Sequence, residues 1–183
     1  MKKRLSARQA IIEAAFEVFG RDPSASLAQV ADAAGVGRAT LHRQFAGRDD
    51  LIRALLYQAV REIEDAARKA AAGARSHTEA LEAIMTALVA LGDRQWFLAQ
   101  ERTADGADEP YREKQEHEFL QLLTEVQKEG LFPERCPVEW AAKVFDHLVY
   151  AAWIQVRDGH ATPKQAARLA WSTLTAGLKG VCL

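Results

Sequence analysis

The spacing of the apolar residues limits this chain more than any other feature: three or four positions almost everywhere, and no convincing run of strict alternation. Apolar residues at i, i+3 and i+4 lie on one side of an α-helix, whereas a half-buried strand needs a period of two. Ile12, Ala15, Phe16 and Phe19 form a first face, Leu27, Val30, Ala31 and Ala34 a second, and Leu41 and Phe45 a short third. Ile52, Leu55, Leu56, Ala59 and Ile63 mark a longer fourth helix reaching about Ala72. Leu81, Ile84, Met85, Leu88 and Leu91 give a face closed by Gly92, and Trp96 and Phe97 begin a short helix. After a loop from Asp105 to Pro110, Phe119, Leu122, Leu123 and Val126 form a face closed by Gly130. A helix opened by Pro137 runs to about Arg157, and a last one opened by Thr162-Pro163 to about Lys179. The expectation is an all-α fold of about nine helices with no sheet.

Start and stop signals agree with the periodicity. Ser26-x-x-Gln29 reads as a capping box, in which the serine oxygen accepts from the third helical N–H and the glutamine accepts from the cap's own N–H. Gly35 stands where a helix end needs a positive φ. Asp49 and Asp50 put negative charge in the first turn of the fourth helix, where its dipole favours them. Gly73 and a second box, Ser76-x-x-Glu79, separate the fourth helix from the fifth, so a domain boundary is expected near there or inside the fourth helix.

The net charge of −1 conceals an asymmetry. Residues 1–60 carry nine Lys/Arg against six Asp/Glu, and the remainder fifteen against nineteen. Contact with a polyanion is therefore expected at the front of the chain. Cys136 and Cys182 are the only cysteines and are far apart, which fits two reduced thiols in a cytoplasmic protein better than a disulfide framework. No apolar run reaches the length of a membrane span, and Arg8 and Glu13 interrupt any signal-like segment. No membrane partner is expected.

The stretch from Ser26 to Leu51 carries the functional signal. Two short helices meet at a tight turn: Ala31 and Ala34 are small where the helices approach, Gly35 ends the first, and Val36 fills the corner. The second helix commits only Leu41 and Phe45 to the core, leaving Arg38, Ala39, Thr40, His42, Arg43 and Gln44 outward. Donors, acceptors and cations with little bulk at the leading end suit a recognition helix. Arginine addresses guanine O6 and N7, glutamine addresses adenine N6 and N7, and a threonine methyl touches thymine. In a helix-turn-helix the second helix enters the major groove while the first crosses the backbone. The bland alternative is a generic helical corner with a solvated face.

The run Val-Ala-Asp-Ala-Ala-Gly-Val-Gly-Arg-Ala-Thr-Leu-His-Arg-Gln-Phe-Ala-Gly-Arg-Asp-Asp-Leu, Val30–Leu51, resembles the DNA-binding signature of the tetracycline-repressor-like (TetR) family. Ile11-Ile-Glu-Ala-Ala-Phe-Glu-Val-Phe19 resembles that family's first helix, and the likeness covers about residues 8–56. It implies a helix-turn-helix domain over residues 1–48, a connecting helix over about 48–72, and a ligand-sensing and dimerisation domain over 73–183. Carried over, it makes Ser26 a phosphate contact, sets Arg38, Thr40 and Gln44 at base edges, with Ala39 beside them, and makes His42, Arg43 and Arg48 phosphate contacts. Three residues depart from the pattern: His42 stands where tyrosine is common, Arg48 where lysine is usual, and Gly37 where serine is frequent, which weakens the cap of the recognition helix. No cofactor and no metal are implied.

One reading head makes few phosphate contacts, so a homodimer reading two half-sites of a palindromic double-stranded operator is expected. The last two helices are the natural seam, with Leu148, Ala151, Ala152, Ala170, Thr173, Leu174 and Gly177 as its candidate residues. The resemblance implies a four-helix dimer bundle from these two helices. Met85, Leu88, Trp96, Phe97, Phe119, Leu123, His147 and Tyr150 are candidate walls for a small-molecule effector, and favour a flat or apolar one; the same stripe also reads as plain core. The expected activity is a repressor released from its operator by that effector. A regulator controlled by a protein partner is the alternative. A helical-bundle enzyme is disfavoured because no Glu-x-x-His pair, H-E-x-x-H, G-x-S-x-G or P-loop occurs.

Overall fold

The computed structural model describes residues 5–101 and 109–180, with side chains except those of residue 101 and residues 109–112. Among these residues there are nine helices and no strand: α1 Ala7–Arg21, α2 Leu27–Ala33, α3 Arg38–Gln44, α4 Arg48–Ala71, α5 His77–Val89, α6 Gly92–Glu101, α7 Glu109–Lys128, α8 Val138–Arg157 and α9 Pro163–Lys179. Residues 105–108 of the expected loop lie outside the described residues, as does Cys182; α7 already begins at Glu109.

The caps form where the residue types require them. Ser26 and Gln29 make the complete reciprocal box, as do Thr162 and Gln165 at α9, where Pro163 follows the cap. Ser76 accepts from the N–H of Glu79, but the Glu79 carboxylate turns to the backbone and guanidinium of Arg75 instead of closing the second box. Gly35, at φ 65°, ends α2: its N–H donates to Asp32 and that of Val36 to Ala31, the pair of bonds that satisfies a helix's last carbonyls. Gly92 was expected to stop a helix and instead starts α6. It is buried against Trp153, and a Cβ there would lie 2.1 Å from the Trp153 Cγ, far closer than atoms can pack.

The chain packs as two units. One holds the residues up to Glu62 and returns for the segment beginning at Asp93; the other holds Ile63–Gly92 and the chain from α7 onward. The packing division therefore falls inside α4, one of the two expected places, and again at the start of α6.

The first unit buries Ile11, Ile12, Ala15, Phe16 and Phe19 of α1 against Val30 and Ala31 of α2, Leu41 and Phe45 from α3 and its end, and Leu51, Leu55 and Ala59 of α4. Phe97 of α6 completes this core, 3% exposed and edge-on to Phe16 with ring centroids 5.5 Å apart. Beside it, Arg94 lies over the Phe16 ring at 4.5 Å. Its guanidinium donates to Glu62 of α4 at 2.9 Å, to Glu13 of α1 and to the adjacent Asp93.

In the second unit α8 and α9 pack along each other, with α5 against both and α7 against α5 and α8. Leu81, Met85 and Leu88 of α5, Leu123 and Val126 of α7, Phe145 and Val149 of α8, and Ala170 and Leu174 of α9 share one core. The Phe119 and Phe145 rings lie 5.1 Å apart. Glu129, just past α7, closes the exposed start of α5: it accepts from the N–H groups of His77 and Thr78, each at 2.8 Å, and from the His77 ring. These bonds hold its carboxyl down to about 2.

Candidate nucleic-acid interface

Seven residues make α3, and only Leu41 among them is buried. Packing against α1 and α2 through Leu41 and the following Phe45 turns the rest of the helix outward. Arg38, Ala39, His42 and Arg43 are exposed, and Thr40 and Gln44 half-exposed. Arg38, His42 and Arg43 have no hydrogen-bond or ion-pair partner among the described residues. Most other surface cations of the first unit are engaged: Arg21 with Glu17 at 2.8 Å, Arg53 with Asp50 at 3.6 Å, and Arg8 over the Phe45 ring at 4.7 Å. Gly37 caps α3 without a side-chain bond, and its carbonyl accepts from the N–H groups of Thr40 at 2.9 Å and Leu41 at 3.1 Å.

Two residues assigned to phosphate are already occupied. The Ser26 hydroxyl is exposed but works within its capping box, accepting from Gln29 N–H at 3.3 Å and donating to the Gln29 side chain at 2.9 Å. Arg48 points back into the loop before α2. It donates to the Ala25 carbonyl at 2.5 Å and to the Pro23 carbonyl, and lies 4.4 Å over the Phe19 ring. The Asp22 carboxyl in that loop is held below the usual range, first by the Ser24 hydroxyl and N–H at 2.7 and 2.9 Å, then by the field of Arg48. Arg48 is therefore a strut of the domain in this structure.

The remaining candidates divide between the two units. Trp96 and Phe97 belong to the first; Phe97 is core of the DNA-binding half, where no periodicity within α6 could have placed it. Met85, Leu88 and Leu123 are buried in the second, with Phe119 packed against them. Tyr150 faces Trp153 at 5.8 Å, and His147 is exposed with its Nδ1 at 2.7 Å from the Lys143 carbonyl. Of the seam candidates, Ala151, Thr173 and Gly177 are exposed and Leu148 half-buried, whereas Ala152, Ala170 and Leu174 lie in the protomer's own core. Arg94 was missed entirely: its partner Glu13 is 81 positions away, and only α6 packing on α1 brings them together.

A three-helix head whose last helix turns its cations outward, joined to a separate helical unit, defines a helix-turn-helix DNA-binding regulator. Residues 11–55 match the family described as bacterial regulatory proteins, tetR family. The chain is 33% identical over 159 residues to the HTH-type transcriptional repressor LfrR of Mycolicibacterium smegmatis, covering 85% of this chain and 82% of that one. It belongs to the TetR family. The crystal structure of LfrR in complex with proflavine superposes with a TM-score of 0.75 at 28% identity, covering 97% of each chain. The ketosteroid transcriptional regulator KstR2 of Mycobacterium tuberculosis gives the same TM-score at 19% identity, covering 96% of each chain, and shows the shared fold alone. These relatives are transcriptional regulators rather than enzymes. The protein is a DNA-binding transcriptional regulator. No helix among the described residues is long and apolar enough to cross a membrane.

Proposed function

We propose that this protein is a cytoplasmic repressor that binds a palindromic operator as a homodimer and leaves it when a flat apolar or aromatic molecule binds the second unit. The observation that carries the DNA half is the α3 face, where Arg38, His42 and Arg43 are exposed with no hydrogen-bond or ion-pair partner among the described residues. Arg38, Ala39, Thr40 and Gln44 read base edges; His42 and Arg43 hold phosphates. Ser26 reaches a phosphate only by sharing its capping hydroxyl.

For the dimer, α8 and α9 supply the exposed set Ala151, Thr173 and Gly177, flanked by Trp140 at 54% and Leu169 at 62% exposure. Small residues permit close helix approach, and two exposed large apolar side chains on neighbouring helices favour a covered face. For the effector, the buried Met85, Leu88 and Leu123 with Phe119 offer an adaptable apolar lining, and the relative LfrR has been crystallised with proflavine. By linkage, operator and effector weaken each other by the same factor.

The test is binding to a duplex spanning the gene's own upstream region against a scrambled duplex, over a salt series, with and without proflavine. The reading expects preference for the native duplex at physiological salt and release on adding the dye. Equal, steeply salt-sensitive binding to both duplexes overturns it.

A further inference from the structure

The Arg94 guanidinium pairs with three carboxylates, and recognition through α3 does not use it directly. We propose that Arg94 is a positioning residue for operator recognition: it locks α1 to α4 and so sets the angle at which α3 is presented to DNA.

The geometry is specific. Glu13 of α1 and Glu62 of α4 each give one carboxylate oxygen to Arg94, and each gives the other to a glutamine one turn back on its own helix, Gln9 at 3.0 Å and Gln58 at 2.5 Å. Both carboxylates are thus aimed before the guanidinium arrives. Asp93 holds Arg94 through its side chain and through its N–H at 2.9 Å, and the Phe16 ring backs the cation at 4.5 Å. The Arg94 side chain is only 13% exposed, so the pairs are weakly screened by solvent.

Three carboxylates around one guanidinium leave the cluster with excess negative charge. Arg94 is what allows Glu13 and Glu62 to approach. Without it the two like charges repel across the α1–α4 contact. Because α3 packs on α1, while α4 carries the Arg48 strut that holds the loop before α2, a splay between α1 and α4 tilts the reading helix. The segment beginning at Asp93 enters this unit from outside the family-matched residues 11–55, so the reading head is larger than that match.

The test compares wild type with Arg94→Met, Arg94→Lys and the double variant Arg94→Met/Glu62→Gln for binding to the operator recovered from the upstream duplex. Binding constants are measured on active molecules over a salt series, alongside far-UV helicity and thermal midpoint. Arg94→Met is expected to lose roughly tenfold or more in operator affinity, within the range of known coupling energies. It should also show a shallower salt slope, because a tilted α3 engages fewer phosphates. Arg94→Lys keeps a charge between the carboxylates and should recover part of both. The double variant removes the repulsion and should bind better than Arg94→Met. A variant that is merely less stable loses active molecules but keeps the slope of those that remain. Wild-type affinity and slope in Arg94→Met, or a double variant no better than the single, overturns the proposal. The inference rests on DNA reading by α3, so Arg38→Ala is the control. If that variant binds the operator normally, the reading of α3 fails; if only the Arg94 series is silent, the positioning role fails alone.

Discussion

Arg43 and Arg48 are five residues apart in one continuous helix-turn-helix stretch, and by type alone they look equally suited to a phosphate. The structure uses them oppositely. Arg43 on α3 is exposed with no hydrogen-bond or ion-pair partner among the described residues, while Arg48 at the start of α4 donates to two carbonyls and covers Phe19. An arginine held by its own chain stabilises the fold; one left without a partner retains its hydrogen-bonding capacity for something that arrives later. The chain thus holds one of these cations within its own fold and leaves the other exposed.

Arg48→Ala should give the largest single effect. It removes two charge-assisted hydrogen bonds, to the Pro23 and Ala25 carbonyls, and uncovers the Phe19 face, at a cost of about 2 kcal/mol, since hydrogen bonds to charged groups contribute ~1.5–3. Thermal or urea unfolding measures it, and operator affinity of the molecules that remain folded should change little. If stability is unmoved and affinity falls instead, Arg48 reads phosphate and the contrast with Arg43 collapses.

Arg38→Ala should behave in the mirror image. A bidentate base contact is worth about 1–3 kcal/mol of discrimination, so sequence preference relaxes at one base pair, while unfolding stays within roughly 0.5 kcal/mol of wild type. A selection from randomised duplexes locates the position. Arg43→Ala should act more weakly and more evenly, lowering affinity for all duplexes and reducing the salt slope by about one phosphate. A sequence-specific loss in Arg43→Ala, with a uniform loss in Arg38→Ala, would exchange their roles.

What was legible in the sequence was what is decided within a few residues. The Ser26 box, the Thr162-Pro163 helix start, the Gly35 stop and the outward face of α3 all depend on neighbours within four residues, so spacing finds them. Contacts made across the chain were not legible. Gly92 read as a stop because glycine usually ends helices, yet here it is chosen by the Trp153 ring pressed against it. Phe97 read as a pocket wall because aromatics line pockets, yet Phe16, far away in the chain, claims it for the other core. Periodicity marks the apolar positions of α8 but cannot say which of them face the chain's own α5 and α7. Ala152, Ala170 and Leu174 therefore looked like seam residues although they pack inside the protomer.

Glu129 extends the contrast to an anion in the second unit, and gives the smallest expected effect. Like Arg48 it is used on backbone groups, here the first N–H groups of α5. Its carboxyl is held to about 2, below the ordinary 4.5, by the His77 N–H first and then by Thr78. A depressed folded value means the carboxylate contributes stability above about 4.5, and that contribution disappears as pH falls toward about 2. Glu129→Gln should therefore be slightly less stable than wild type at neutral pH, and the gap between their unfolding midpoints should narrow steadily below about pH 4.5. A gap that stays constant through that range would show that the side chain's shape, rather than its charge, closes the start of α5. Operator affinity should be indifferent to the change, since this charge, like that of Arg48, already has its partners.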